Sequence, residues 1–315
     1  MSDPKKATKF DSLEEIAKSF IIGIDEKVEK SLEFIKTEYL NREKFELAIN
    51  FSCYHHEDAA KSELEDLSRI GHFPFTEAEM ELEHAINHAL IGSYKAAFAD
   101  LRRALELTLL SAYLTSEQSN RKEAVEWMLS STKTPFFSEM TKKLKRCQRF
   151  NDIDSKCNWE ANLKRFYWEI SDYSHNKGQL KGYRQLNKLV SVGTTCMFDT
   201  KNESLSIFCD FYIQTVGEIL VTLALYNPAI LVGMPLAEKF GLNPPASGYY
   251  YDFQAALVHK LLPETYKGYF RDIADNDKEL RSLLEFFNSL PDLSEKDLEE
   301  QSKYWQQLAK AHKKE

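Results

Sequence analysis

Tyr167, Ser171 and His175 follow one another at steps of four, which puts all three on one face of any helix that carries them. His175 brings the chemistry, because imidazole gains and loses a proton near neutral pH. In an earlier segment, Arg102 and Glu106 stand four apart and supply a cation and a carboxylate on one face of a second helix. Together these groups could transfer a proton and hold developing negative charge against a cation. His175 is the candidate acid or base, and Arg102, Arg103, Lys177 or a second subunit are candidate sources of the cation. A structural role for His175 stays open, since a histidine in the last turn of a helix is favoured by the C-terminal dipole. A hydrogen bond to Ser171 or Glu106 would then hold it in place.

Other chemistry-bearing residues form weaker patterns. His84 and His88 share a helical face near Glu81 and Glu83, but without the His-Glu-x-x-His arrangement they read as a solvated or core-edge pair. His55 and His56, beside Glu57 and Asp58, point about 100° apart on a helix and are not expected to bind a metal together. The chain has no Gly-rich phosphate loop, Gly-x-Ser-x-Gly elbow or dinucleotide fingerprint, which disfavours P-loop, α/β-hydrolase and Rossmann chemistry. No cofactor and no metal are expected.

The elements that must position these residues are helical. A chain of 315 residues, 43% hydrophobic with only 11 Gly and 9 Pro, is rich in helix formers and long enough to bury a sizeable core. Apolar residues recur at steps of three and four from Ser12 to Leu40. A second helical stretch covers Asn50 to Ile70, closed by a turn at Gly71-His-Phe-Pro74, after which Thr76 and Glu79 form a capping box. Helices follow over Glu77 to Ile91 and Tyr94 to Leu114, separated by Gly92, and the second presents Phe98, Leu101, Leu105, Thr108 and Ala112 as one stripe. Further on, a basic helix over Phe137 to Arg149, a polar break over Asn151 to Asn158 and an aromatic helix over Trp159 to His175 are predicted. Gly178 would stop the last of these. A long apolar helix covers Glu203 to Tyr226, and helices resume at Phe253 to Leu262, Pro263 to Leu290 and Ser294 to Ala311. Val190 to Met197 is the one run that competes as a strand. The fold class expected is all-α, a helical bundle core with additional N- and C-terminal helices.

The pairing of Tyr94-x-x-Ala97-x-x-x-Leu101-Arg102-x-x-Leu105-Glu106 with Tyr167-x-x-x-Ser171-x-x-x-His175 resembles the HEPN superfamily of small helical bundles. The resemblance covers roughly residues 77 to 230. It implies a dimeric bundle of bacterial stress response, toxin-antitoxin or antiviral defence type, and a ribonuclease that cleaves RNA without a metal. Carried onto this chain, it assigns His175, Arg102, Glu106, Ser171 and Tyr167 to the site. Active members have an Arg a few residues before the histidine, and Trp168, Glu169 and Ile170 stand there instead. A non-catalytic interaction or sensor module that binds a protein partner is the alternative. The corresponding division is an N-terminal helical segment over 1–75, a bundle over 76–235 and a C-terminal helical segment over 236–315.

A net charge of −8 gives no general attraction to a phosphate backbone, so any RNA contact has to be local. Lys142 to Arg149 and Lys177 to Arg184 are the candidate basic patches, each more often simply a solvated helix face or loop. Tyr249, Tyr250, Tyr251 and Phe253 form an aromatic loop suited to a protein interface. Five scattered cysteines without a CxxC pair read as reduced thiols of a cytoplasmic protein. The N-terminus has no apolar signal core and the longest apolar stretch is interrupted by Gln214, Glu218 and Pro228, so no membrane association is expected. A homodimer or a protein partner, and possible RNA, complete the expectations.

Overall fold

The computed structural model describes residues 13–59, 66–116, 121–174, 202–243 and 248–312. These residues form fourteen helices and, among them, no strand. The helices are α1 (Leu13–Thr37), α2 (Arg42–Tyr54), α3 (Asp66–Leu90), α4 (Tyr94–Thr115), α5 (Arg121–Met128), α6 (Phe137–Leu144), α7 (Gln148–Cys157) and α8 (Trp159–Ser174). The chain continues with α9 (Asn202–Tyr226), α10 (Leu236–Phe240), α11 (Asp252–Leu261), α12 (Glu264–Asn276), α13 (Lys278–Ser289) and α14 (Glu295–His312). The expected all-α bundle is what the chain forms. Val190 to Met197, the run that competes as a strand, lies outside the described residues.

The centre is α4 packed between α3, α8 and α9. The stripe Phe98, Leu101, Leu105, Thr108 and Ala112 is buried as its spacing requires. Helix α9 is apolar nearly all round, and by length and composition alone it would suffice to cross a membrane. Here most of it is covered by protein, the other environment in which a helix without a polar face is stable.

Gly92 makes the tight connection between α3 and α4. Its φ of 82° lies in the left-handed region, where a side chain is strained, and it lets Ser93 N–H bond back to the His88 carbonyl at 2.7 Å. The two long helices therefore return antiparallel with a fixed register. Helix α8 also runs antiparallel to α4: Tyr173 stacks on Phe98 with centroids 4.5 Å apart, while Tyr167, earlier in α8, meets Arg102.

Two local expectations are corrected. The turn at Gly71 to Pro74 does not form, and α3 passes unbroken through both residues. Thr76 caps nothing, its hydroxyl bonding instead to the His72 carbonyl one turn back at 3.2 Å. Burial of this segment against α4 outweighs the cost of an internal proline: Phe75 is in the core, and Ser111 Oγ donates to the Gly71 carbonyl at 2.7 Å. The polar break expected over Asn151 to Asn158 is instead α7, whose Phe150 and Ile153 supply just enough apolar surface to hold it. Asn158, in left-handed conformation, ends that helix.

One apolar cluster runs from Phe34 in α1 through the bundle to Phe270 in α12. A smaller one joins Met234, Leu236, Leu280 and Phe287. The chain crosses the expected boundary at residue 75 inside α3, and the larger cluster continues past the one at 235.

Candidate functional site

The crossing of α4 and α8 brings together Arg102, Glu106 and Tyr167. Arg102 Nε donates to the Tyr167 hydroxyl at 2.9 Å, and Nε and one terminal nitrogen donate to Glu106 Oε1 at 3.2 and 3.1 Å. The Tyr167 hydroxyl donates to the same Oε1 in a short hydrogen bond. Arg102 and Glu106 come from successive turns of α4, so their pairing follows from helical geometry. Tyr167 is fixed by its buried ring, stacked on Phe137 of α6 with centroids 4.1 Å apart. Burial, reinforced by the Glu106 carboxylate, pushes the Tyr167 phenol up to about 12. At neutral pH it is therefore a proton donor to Glu106 and not a base.

Ser171 is buried, and its hydroxyl donates to the Tyr167 carbonyl at 2.8 Å. It serves the helix backbone and makes no bond to the Arg102 network. His175 lies outside the described residues, one position after α8 ends. The structure thus joins Arg102, Glu106 and Tyr167 and leaves the Ser171 hydroxyl apart from them.

At the rim of this crossing two large rings face solvent. Trp168 is 56% exposed and packs edge-on against Tyr167, and Phe136, 76% exposed, precedes the buried Phe137. A half-buried guanidinium beside exposed flat rings can hold phosphate and unstacked bases together.

A second polar constellation lies on the opposite side of α4, where it packs on α3. Asp100 is 1% exposed. One of its oxygens meets His88 Nδ1 at 2.6 Å and the other accepts a short hydrogen bond from Arg103. Arg103 Nε also donates to Glu81 at 2.8 Å. Burial raises the Asp100 carboxyl above the ordinary carboxylate range, while His88 and Arg103 pull it back. In the sequence His88 and Arg103 stand out separately, and no pattern marks Asp100. Gly92 signals only that the two helices fold back on each other; the register that sets residue 88 against residue 100 is fixed by their packing.

The other candidates resolve as follows. Much of the basic run after Lys142 is spent on neighbours: Lys143 pairs with Glu123 at 3.0 Å, Lys145 with Glu160 at 2.6 Å, and Arg149 with Glu279 at 2.6 Å. The patch over Lys177 to Arg184 lies outside the described residues. His56 is fully buried and stacked on Phe75 at 4.1 Å. Tyr250 of the aromatic loop is buried and bonds to the His55 carbonyl, while Tyr249 packs on Phe287. Cys53, Cys147, Cys157 and Cys209 form no disulfide. Among the described residues no group of three His, Cys, Asp or Glu side chains is placed to hold a metal ion.

No known protein family, curated protein or solved structure matches the chain. The geometry therefore carries the functional reading.

Proposed function

We propose that the protein is a HEPN-like helical effector of bacterial stress response or phage defence that acts on RNA, with His175 as the acid or base of a metal-independent cleavage. The observation that carries this reading is the α4 and α8 crossing, where Arg102, Glu106 and Tyr167 share one carboxylate oxygen, exposed Trp168 packs on Tyr167, and exposed Phe136 adjoins the Phe137 that stacks on it. With a net charge of −8, the chain has no general hold on nucleic acid. A local cation flanked by stacking rings is the kind of surface that binds single-stranded RNA under that constraint. A homodimer in the cytoplasm belongs to the same reading.

One feature favours a non-catalytic interaction or sensor module as the second reading: the Arg102 guanidinium is already engaged by Glu106 and Tyr167. The two readings separate in an assay of labelled single-stranded RNA with the purified chain in the presence of a chelator. Cleavage by wild type that falls in His175→Ala, with binding weakened in Trp168→Ala, is the expected result. Intact RNA together with unchanged binding in Trp168→Ala would leave the interaction module.

A further inference from the structure

We propose that His88, held by Asp100 and flanked by Arg103, is an acid–base group for phosphodiester chemistry on the α3 and α4 face. The proposal rests on the RNA-directed reading above but not on the site assigned there. Three observations support it.

The first is the direction in which Asp100 works. Its carboxylate is buried, yet both its partners lie toward solvent, His88 with its side chain 41% exposed and Arg103 with its side chain 49% exposed. Here a fixed, desolvated carboxylate orients two accessible groups, as a positioning residue does behind a working imidazole.

The second is the tautomer. A carboxylate oxygen only accepts, so in the neutral imidazole the 2.6 Å contact puts the proton on Nδ1. The lone pair is then on Nε2, which makes no hydrogen bond among the described residues. In that form the nitrogen away from Asp100 is the one that can accept a proton.

The third is the neighbour. His88 and Arg103 bind the two oxygens of one carboxylate, which holds their side chains next to each other. Arg103 uses Nε on Glu81 and one terminal nitrogen on Asp100. Its planar fork keeps the second terminal nitrogen for a phosphate oxygen. Glu81 and Asp100 offset its charge, so Arg103 offers directed donors more than net attraction.

The step is as follows. His88 Nε2 takes the proton of an RNA 2′-hydroxyl while O2′ bonds to phosphorus, and the bond from phosphorus to O5′ breaks. Water gives O5′ its proton, and the hydroxide left behind recovers the proton from the His88 imidazolium. The products are a 2′,3′-cyclic phosphate and a 5′-hydroxyl, and Arg103 holds a non-bridging oxygen throughout.

The test compares cleavage of a 5′-labelled single-stranded RNA by the full-length wild type, His88→Ala, Asp100→Asn and His175→Ala, with thermal melts to verify folding. The expected result is a partial loss in His88→Ala, and a fall of about a hundredfold or more in the cleavage that survives His175→Ala once His88→Ala is added to it, within the range for losing a general base. Partial rescue by added imidazole is expected as well, which a structural role would not allow. Asp100→Asn should slow cleavage and alter its pH profile, because the amide no longer fixes the Nδ1–H tautomer. A folded His88→Ala variant that cleaves at the wild-type rate overturns the proposal, and if His175→Ala is then inactive the RNA reading itself survives. No cleavage by wild type overturns both.

Discussion

The guanidinium carbon of Arg102 lies 5.0 Å from the ring centroid of Tyr167, and its Nε donates to the hydroxyl of the same residue at 2.9 Å. Two residues sixty-five positions apart in sequence are locked by face and by edge. The lock fixes the rotation of α8 on α4, and with it the surface that Trp168 presents.

Tyr167→Phe keeps the ring and its stacking on Phe137 while removing the bonds to Arg102 and Glu106. The half-buried pair that remains still bonds to itself, so the loss should be about 1.5 to 3 kcal/mol, the usual range for a hydrogen bond to a charged group. Chemical denaturation checks this. A variant as stable as wild type would show that the network is not what holds α8 in place.

Trp168→Ala and Phe136→Ala should behave differently. Both rings face solvent, and exposed substitutions usually stay within about 0.5 kcal/mol of neutral. Stability should therefore hold while RNA affinity, measured by fluorescence anisotropy, falls severalfold for each. Large destabilisation would place these rings in packing instead of recognition.

Gly71→Ala tests why α3 ignores its turn signal. A Cβ at that position would come within 1.9 Å of Thr115 Cγ2, and overpacking of this kind costs about 1 to 3 kcal/mol. Thr115→Ser in the same chain removes the obstructing methyl and should restore most of the loss. If Gly71→Ala alone melts like wild type, the close packing of α3 on α4 is not what keeps the segment helical.

That position also shows where sequence patterns stop being sufficient. Gly92 was legible as a hairpin because a left-handed glycine between two apolar stripes has one local meaning. Gly71 and Pro74 have two, and the contact with Ser111 and Thr115, some forty residues away, decides between them. Helix α7 was missed for a related reason, since Phe150 and Ile153 are too few to show a period. In the candidate site, Arg102 and Glu106 followed from their spacing, and Tyr167 from the line it starts. The turn of the Ser171 hydroxyl toward the backbone is a local option that spacing does not reveal. The pairing of His88 with Asp100 depended on the exact register of a helical hairpin, a tertiary property.

Glu218 provides the pH-dependent prediction. It sits in α9 within the core, 4% exposed, with no hydrogen-bond partner for Oε2. Burial pushes its carboxyl from 4.5 up to about 8, and Arg165 only partly offsets this. Below the ordinary value, folded and unfolded chains both carry the proton and Glu218 contributes no pH dependence. Between 4.5 and about 8 the unfolded chain releases the proton while the folded chain keeps it, so stability declines as pH rises. The slope approaches about 1.4 kcal/mol per pH unit for one group and flattens once the folded carboxyl also ionises. Glu218→Gln has nearly the same shape and cannot ionise. Its melting temperature should match wild type near pH 4.5 and exceed it increasingly up to pH 8 or so, with the difference curve isolating Glu218 from Asp100, whose raised carboxyl slopes the same way in both proteins. Parallel curves across that range would mean that Glu218 is ionised and solvated in the folded chain, and that the core around α9 admits water.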